Sequence, residues 1–542
     1  MSDPITSYPL WLQSLLRGPT ALAADARCIE THISWVVLAG ERVFKFKKPL
    51  SLGFLDFGTL ALRRHACEEE LRINRRTAPQ LYEAVVALVG PAQAPRLVPL
   101  VNVQPQDEVL EYGVQMQRFA DGQLLAEQLA AGALQSSELS PLAERVAQLH
   151  ASAAVAPPDS DWGSAALVRQ QAQTNLDTLA ALPLPETDRR TLQALQAWTQ
   201  REGERLQPLL AARKAAGQVR ECHGDLHLGN LVQLADGPQL FDAIEFSEAL
   251  RFIDPMADVA FLCMDLQARG RPDLGWHFLN GWLEHSGDYA GLELLPWYLV
   301  YRALVRAMVA GLRCGQAGQG EQNDASLQAL QRYLALAGQL CQPRPRALWL
   351  AQGVSGAGKS HHSAPLVAAR GMVRLRADVE RKRLFGLAPT AASAARVSQS
   401  IYDADTTVRT YAQLLALART VLEAGFAVLV DATFLAYSQR APFRALAAEK
   451  EVPFAILAFD APVPVLQERV QRRLQRGGNA SEATLEVLAA QLARREPLST
   501  QEQALALCID TTQPVNWAVL MPPAEVVSAP ASPATTAASP SS

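Results

Sequence analysis

A glycine-rich stretch at residues 353–360 carries the clearest chemical signal in this sequence. It reads GVSGAGKS, fits the pattern G-x-x-x-x-G-K-S/T and follows the apolar run 347–351. That context predicts a strand, a phosphate-binding loop and a helix whose positive end faces the anion. Lys359 would reach the β- and γ-phosphates of a nucleotide, and the Ser360 hydroxyl would ligate Mg²⁺. The predicted nucleotide-binding residues are Gly353, Ser355, Gly356, Ala357, Gly358, Lys359 and Ser360.

Two aspartates come at the ends of later apolar runs in the same half of the chain. Asp378 follows the run 372–377, and Asp431 follows the run 427–430. Because ligands of parallel α/β sheets lie at the carboxyl ends of the strands, Asp378 is predicted to orient an acceptor hydroxyl. Asp431 is predicted to hold the water shell of Mg²⁺ or to face the substrate. Each aspartate can instead be a helix cap.

Four arginines share one face of a predicted helix because they occupy positions i, i+3, i+4 and i+7, namely Arg469, Arg472, Arg473 and Arg476. Like charges at these spacings repel one another by roughly 0.2–0.5 kcal/mol per pair. A bound anion would relieve this repulsion, and Gly477 and Gly478 would then supply a hinge. The alternative is a solvated basic helix.

A second and different set of polar residues lies upstream. Residues 223–230 read HGDLHLGN, and an apolar run then ends at Asp242. A hydroxyl nucleophile needs a carboxylate that orients it and accepts its proton during attack on the γ-phosphorus, and Asp225 is the candidate. Asn230 and Asp242 would supply the oxygen ligands that Mg²⁺ prefers. Glu245 is a candidate either for an additional metal ligand or for a group that supports the ligands from behind.

This pattern, together with Asp254-Pro255 and Asp258, resembles the aminoglycoside phosphotransferases and choline-kinase-like enzymes over roughly residues 25–315. The resemblance implies a bilobal, protein-kinase-like fold with ATP between the lobes. Similar aspartates in these families brace the catalytic loop, so Asp254 and Asp258 are predicted to be structural. His223 is predicted to brace the loop in preference to titrating in catalysis.

The same resemblance implies a strand lysine that holds the phosphates and a helical carboxylate that pairs with it. The lysine is predicted to be Lys45, with Lys47 as the competitor on the same strand face. The carboxylate is predicted to be Glu69, chosen from three consecutive glutamates at 68–70. No G-x-G-x-x-G precedes Lys45, so residues 30–34 would have to lie near the phosphates.

Residues 346–515 resemble the predicted P-loop kinases related to the polynucleotide kinase, zeta-toxin and gluconate-kinase groups. In these proteins a mobile lid carries arginines that close on the transferring phosphoryl group. The resemblance therefore assigns catalytic roles to Arg472, Arg473 and Arg476, and it leaves the acceptor open.

The elements that must position these residues divide the chain into two halves. Residues 32–46 read as a β-hairpin turning at Ala39-Gly40, with further strands at 85–89, 97–103 and 112–119 and helices through most of 122–213 and 276–340. Two prolines near 343–345 mark a boundary, after which strands and helices alternate. We therefore predict an α+β bilobal protein-kinase-like domain at 1–342, an α/β P-loop domain with a parallel sheet at 346–520, and a disordered tail at 521–542 rich in Ala, Pro and Ser.

Composition narrows the setting of this 542-residue chain. A net charge of −4 argues against a dedicated nucleic-acid coat protein, although local basic patches remain compatible with nucleic-acid binding. The seven cysteines are scattered without a C-x-x-C pair, which is typical of reduced thiols. No signal peptide or membrane-spanning run is evident, so the predicted location is the cytoplasm. The oligomeric state is not readable.

The sequence thus predicts a bifunctional phosphotransferase in which each half uses ATP and Mg²⁺ to phosphorylate a hydroxyl of a small-molecule acceptor. Three alternatives remain open: a regulatory NTPase with a ligand-binding N-terminal half, a nucleic-acid end kinase, and a pseudokinase N-terminal lobe that acts as a scaffold.

Overall fold

The structure, a computed structural model, describes residues 7–18, 20–52, 55–316, 321–391, 403–476 and 483–517. The predicted disordered tail at 521–542 and the predicted hinge at Gly477-Gly478 lie outside these residues. Within them, no helix is long and apolar enough to cross a membrane.

The N-terminal lobe is built on an antiparallel sheet whose six strands run in the order β1-β2-β3-β8-β6-β7. Helix α1 packs on this sheet through Leu12, Leu15 and Leu16, and α2 lies beside β6 and β8. The elements are α1 (Leu10–Arg17), β1 (Arg27–Glu30), β2 (Ser34–Ala39), β3 (Arg42–Lys47), β4 (Ser51–Leu52), β5 (Leu55–Asp56), α2 (Leu60–Asn74), β6 (Tyr82–Val89), β7 (Arg96–Pro99) and β8 (Val109–Gln117).

The second lobe is mainly helical and contains most of the largest hydrophobic core. This lobe contains two short antiparallel ladders, β9 with β12 and β10 with β11, and the loops next to them contain residues 223–230 and Asp242. The elements are α3 (Leu125–Ala130), α4 (Ser136–Ser152), α5 (Ala165–Ala180), α6 (Glu186–Ala215), β9 (Arg220–Glu221), β10 (Leu231–Leu234), β11 (Gly237–Leu240), α7 (Glu248–Arg251), β12 (Phe252–Ile253), α8 (Pro255–Ala268), α9 (Pro272–Ser286), α10 (Leu295–Gln316) and α11 (Glu321–Leu340).

The C-terminal half contains a five-stranded sheet, ordered β14-β15-β13-β16-β17, in which every neighbouring pair is parallel. This confirms the predicted α/β P-loop architecture. The elements are β13 (Leu348–Gln352), α12 (Lys359–Arg370), β14 (Val373–Arg376), α13 (Ala377–Arg383), α14 (Ala404–Glu423), β15 (Val428–Asp431), α15 (Tyr437–Glu449), β16 (Phe454–Asp460), α16 (Val463–Arg476), α17 (Leu485–Arg494), α18 (Thr500–Gln503) and β17 (Ala506–Asp510).

The two halves are packed together along the edge strand β14. Asn280 on α9 donates a hydrogen bond to the carbonyl of Met372 (3.0 Å) and accepts one from the N–H of Arg374 (2.7 Å). Glu284, one turn later, pairs with Arg374 at 2.7 Å and with Arg376 at 3.0 Å. The side chain of Asn280 thus forms hydrogen bonds with backbone groups that would otherwise be unpaired at the edge of the sheet.

The predicted helical blocks are correct in type but are interrupted. The block at 122–153 forms two helices because Gly132 adopts a left-handed φ of 70° between them. The block at 164–213 is divided where two prolines, Pro183 and Pro185, separate α5 from α6. The predicted strand at 97–103 ends at Pro99 and continues as a 3₁₀ turn.

Candidate active sites

The first candidate site surrounds Asp225, in the loop between β9 and the 3₁₀ turn Leu228–Asn230. The side-chain amide of Asn230 donates to the carbonyl of Asp225 (2.9 Å) and to its carboxylate (3.0 Å). His227 Nε2 lies 3.4 Å from the same carboxylate. Burial alone would raise the pKa of Asp225, but attraction and a hydrogen bond from His227, with smaller contributions from His223 and Arg306, hold the pKa well below its usual value. Asp225 is therefore an anionic hydrogen-bond acceptor at neutral pH.

The loop is braced from behind by residues that do not reach the reaction site. Asp258 accepts hydrogen bonds from the N–H groups of His223 (2.7 Å) and Gly224 (2.9 Å). His223 Nε2 lies 2.9 Å from the carbonyl of Phe241, and Asp254 caps α8. These contacts agree with the prediction that His223 and Asp258 brace the loop, whereas Asp254 caps α8 and pairs with Arg213.

Asp242 directly follows a residue that is bonded to Asn230, since the N–H of Phe241 donates to the carbonyl of Asn230 at 3.1 Å. Its backbone has a φ of +60°, a conformation that costs a non-glycine residue about 1–3 kcal/mol. The hydroxyl of Tyr82 accepts the Asp242 N–H at 3.0 Å, and the carboxylate forms an ion pair with Lys45. Contacts from both lobes thus hold this carboxylate in its strained position.

The carboxylate that pairs with Lys45 is Glu70, which corrects the prediction of Glu69. Lys45 Nζ lies 2.8 Å from Glu70, whereas Glu69 bonds to Arg72 at 2.8 Å and to Arg251 at 3.3 Å. The buried face of α2 explains the difference, since it follows helical spacing through Arg63, Ala66, Cys67, Glu70, Ile73 and Asn74. That spacing was the signal available in the sequence.

Lys47, the competitor of Lys45 on the same strand, is fully buried and belongs to a cluster of charged side chains. It lies 2.5 Å from Glu70 and forms an ion pair with Glu245, so the carboxylate of Glu245 contacts Lys47 in this structure. Burial alone would raise the pKa of Glu70, but Lys45 and Lys47 lower it to about 2. The pKa of Lys45 is raised because Asp242 and Glu70 outweigh the opposing effect of burial. Lys45 is therefore held charged and in place.

The second candidate site is the glycine-rich loop between β13 and α12. Gly356 and Gly358 have φ values of 84° and 78°, and a Cβ at Gly356 would lie 2.6 Å from the carbonyl of Leu466. Lys359 Nζ donates to the carbonyls of Gly353 (2.7 Å) and Val354 (3.2 Å), which curls the lysine back over the loop. Burial lowers the pKa of Lys359, and Asp431 and Asp378 oppose that shift.

The predicted polar partners of this loop converge at the carboxyl ends of β14 and β15. The hydroxyl of Ser360 donates to the carboxylate of Asp431 at 2.5 Å. Asp378 lies in the first turn of α13, with Arg381 3.8 Å away. The order of the parallel strands thus places these oxygens around Lys359, and the contact between Ser360 and Asp431 unites the predicted metal ligands.

The arginine face of α16 is only partly directed toward the loop. Arg469 bonds to Thr511 (2.7 Å to its carbonyl) and lies 3.4 Å from the carbonyl of Gly356, while Arg473 donates to the carbonyl of Ala483 at 3.2 Å. Arg472 instead pairs with Glu468, with 57% of its side chain exposed, so the structure does not bring this predicted catalytic residue to the loop. The side chain of Arg476 lies outside the described residues.

Sequence reasoning missed a residue that contacts the loop from α17. The side-chain carbonyl of Gln491 accepts the N–H of Ser355 at 2.7 Å, one of the backbone donors that a phosphate-binding loop offers to an anion. A glutamine in an amphipathic helix carries no sequence signal for such a contact, because only the tertiary packing of α17 brings it there.

Comparison with known proteins identifies both halves. Residues 53–295 match the phosphotransferase enzyme family, and residues 348–498 match an AAA domain. An uncharacterized protein of Mycobacterium tuberculosis is 32% identical over 486 residues, which cover 90% of this chain and 92% of the relative.

Solved kinase structures resemble each half separately. A choline/ethanolamine kinase family protein from Mesorhizobium loti is 12% identical and covers 60% of this chain and 97% of its own, with a TM-score of 0.35. A sugar kinase from a Janibacter species is 20% identical and covers 31% of this chain and 88% of its own, with a TM-score of 0.24. Because these TM-scores are low, the assignment of the chain to a family rests on the two family matches and on the mycobacterial relative.

Proposed function

This chain belongs, with its mycobacterial relative, to a family that joins a phosphotransferase domain to a P-loop kinase-like domain, and we propose that it is a bifunctional ATP-dependent phosphotransferase. Each domain would transfer the γ-phosphoryl group of ATP to a hydroxyl of a small-molecule acceptor. The observation that carries this proposal is the presence of two separate constellations in one chain, Lys45–Glu70–Asp242 beside Asp225 and Lys359–Ser360–Asp431.

At the first site the acceptor hydroxyl would donate its hydrogen bond to Asp225. As the hydroxyl oxygen attacks the γ-phosphorus, its proton passes to Asp225 and the bond from the γ-phosphorus to the β,γ-bridging oxygen breaks, which releases ADP. Asn230 orients Asp225 through its amide N–H groups, at 2.9 and 3.0 Å. Lys45 would hold the nucleotide phosphates from the N-terminal lobe.

The donor sets of both sites fit magnesium. The side-chain amide nitrogen of Asn230 is occupied by Asp225, so its amide oxygen and the carboxylate of Asp242 are the hard ligands that this cation prefers. Ser360 and Asp431 offer a hydroxyl and a carboxylate at the second site. Bound Mg²⁺ would neutralise charge that develops on the phosphoryl oxygens. At the second site Asp378 would orient the acceptor and Arg473 would lie on the phosphoryl side of the loop.

A labelling experiment tests the proposal. Wild type, Asp225→Asn, Lys359→Ala and the double variant are incubated with γ-labelled ATP, Mg²⁺ and a metabolite extract, and labelled products are separated. We expect each single variant to lose a different set of products and the double variant to lose all of them. Release of inorganic phosphate without a labelled acceptor would instead indicate a regulatory NTPase. Loss of every product in either single variant would contradict two independent sites.

A further inference from the structure

A cavity of about 340 Å³ lies in the second lobe where α8, α10 and α11 meet. Its wall includes four arginines and a tyrosine, namely Arg269, Arg306, Arg313, Arg332 and Tyr333, with small apolar residues between them. None of the described residues that line it is acidic. The cavity therefore has a concentrated positive charge in a chain whose net charge is −4.

The cations of this cavity are only partly compensated by the protein. Arg269 lies 3.2 Å from Asp265, and Arg313 bonds to His32, in the turn between β1 and β2, at 2.8 Å. The guanidinium carbon of Arg306 lies 5.8 Å from the centre of the Tyr333 ring, and the two side chains share a hydrogen bond. The Nε of Arg306 is nevertheless a buried donor that has no hydrogen-bond partner among the described residues. A buried donor without an acceptor is costly, so an acceptor from outside the chain would stabilise this arrangement.

The cavity adjoins the catalytic loop. Asp265, which pairs with Arg269 at the cavity rim, also accepts the N–H of Leu228 at 3.1 Å, three residues after Asp225. Burial opposes the rise in the pKa of Arg306, which comes first from Tyr333 and then, to a smaller extent, from Asp265 and Asp225. Arg306 is in turn a minor influence among those that lower the pKa of Asp225. The cavity therefore lies nearer to Asp225, where the acceptor would bind, than to the nucleotide lysine Lys45, which pairs with Asp242.

We propose that this cavity binds the anionic group, a phosphate or a carboxylate, of the alcohol that Asp225 activates. The proposal rests on the phosphotransferase function of the first site and specifies its substrate class as an anionic alcohol. Guanidinium groups suit this ligand because their planar N–H pairs match the oxygens of carboxylates and phosphates. The turn that carries His32 would lie over the same space, so both lobes would enclose the acceptor.

Phosphate binding tests the cavity without requiring turnover. Equilibrium dialysis of the full chain with labelled inorganic phosphate is performed in saturating Mg-ADP, in a Lys359→Ala background. We expect Arg306→Ala and Arg332→Ala to weaken phosphate binding by about tenfold or more. Arg190→Ala, which removes an exposed arginine paired with Glu186 on α6, is the matched control and should bind like the parent. Because Arg332 is exposed, its variant should fold normally. Equal binding by parent and cavity variants, or no binding by the parent, would overturn the proposal.

Acceptor selectivity tests the substrate class. Matched alcohols, glycerol with glycerol 3-phosphate and glucose with gluconate, are offered with labelled ATP, and transfer is counted only where Asp225→Asn abolishes it. We expect the anionic member of each pair to be preferred, and Arg332→Ala to raise its KM about tenfold while leaving the KM for ATP unchanged. Preference for the neutral member of each pair would refute the proposal. A raised KM for ATP in Arg332→Ala would also refute it, because the arginines would then bind the nucleotide. Absence of all Asp225-dependent transfer would count against the proposed function, and phosphate dialysis would still decide the cavity.

Discussion

Glu284 and Arg376 form an ion pair of 3.0 Å that joins the phosphotransferase domain to the P-loop domain. Both side chains are largely enclosed, with 9% of Glu284 and 18% of Arg376 exposed. Arg376 is the last residue of β14. Burial would lower the pKa of Arg376, but attraction to Glu284, with further contributions from Asp431 and Asp378, raises it. A carboxylate of one domain therefore balances an arginine that faces the predicted metal and acceptor aspartates of the other.

We predict that Glu284→Gln lowers Lys359-dependent ATP turnover by about tenfold, a coupling typical of linked sites. Without Glu284, the charge of Arg376 would be balanced by Asp431 and Asp378, which the phosphate loop needs. Turnover is measured in an Asp225→Asn background so that only the second site contributes. Glu293→Gln, which breaks an exposed pair with Arg205, is the control and should have no effect. Unchanged turnover in Glu284→Gln would show that the pair is only structural.

The carboxylate of Glu284 also predicts that the free energy of unfolding depends on pH. Burial would raise the pKa of Glu284, but Arg374 and Arg376 lower it from 4.5 to about 2. A depressed pKa means that the stabilisation is fully present above about pH 4.5 and is lost as pH falls toward 2, with a total of about 3 kcal/mol. Denaturant unfolding of wild type and Glu284→Gln between pH 7 and 3 measures this. The difference between the two proteins should shrink as the pH falls; a constant difference would contradict the assignment.

Adjacent glutamates on α2 provide a matched pair of variants. Glu70→Gln removes the carboxylate shared by two buried lysines, whereas Glu69→Gln leaves its partners Arg72 and Arg251 still paired with Glu221. Because a broken buried pair leaves a charge without its partner, we expect Glu70→Gln to destabilise the protein by about 3–5 kcal/mol and Glu69→Gln by less than about 1 kcal/mol.

Nucleotide titration of the Glu70 and Glu69 variants, in a Lys359→Ala background, should separate them further. Glu70→Gln should lose affinity for Mg-ATP at the first site because Lys45 loses its anchor. Equal effects from the two substitutions would contradict the role assigned to Glu70.

Local patterns were sufficient to predict the phosphate loop of the second site but not its contacts with α16 and α17. The phosphate loop is contiguous, and parallel strands bring their carboxyl ends to one edge, so Ser360 and Asp431 were predicted on the same edge, where the strand order then joins them. The catalytic loop of the first site was also local, since Asp225 and Asn230 lie five residues apart and bond directly. Choosing Glu69 over Glu70 was an error of helix phase, which the buried positions of α2 would have prevented.

Contacts that depend on docking could not be predicted in this way. The pairing of Glu284 with Arg376 spans 92 positions and exists only because α9 covers the edge of β14. Arg306 belongs to an amphipathic helix, and its nearness to Asp225 depends on how α8, α10 and α11 pack. No spacing in the sequence encodes these relationships, since they arise from the shapes of two assembled surfaces.

The glycines of the chain allow backbone strain to be separated from the needs of the phosphate loop. Gly356 and Gly425 have similar φ values, 84° and 90°, but a Cβ at Gly356 would lie 2.6 Å from the carbonyl of Leu466, whereas nothing lies within 4 Å at Gly425. Alanine at either position therefore costs about 1–2 kcal/mol of conformational strain, and only Gly356→Ala must also displace α16. We expect Gly356→Ala to reduce Mg-ATP affinity at the second site by about tenfold or more and Gly425→Ala to leave it unchanged, as measured by nucleotide titration in a Lys45→Met background that weakens nucleotide binding at the first site. If both variants bound the nucleotide equally well, the close approach of the loop to α16 would not be what shapes the phosphate site.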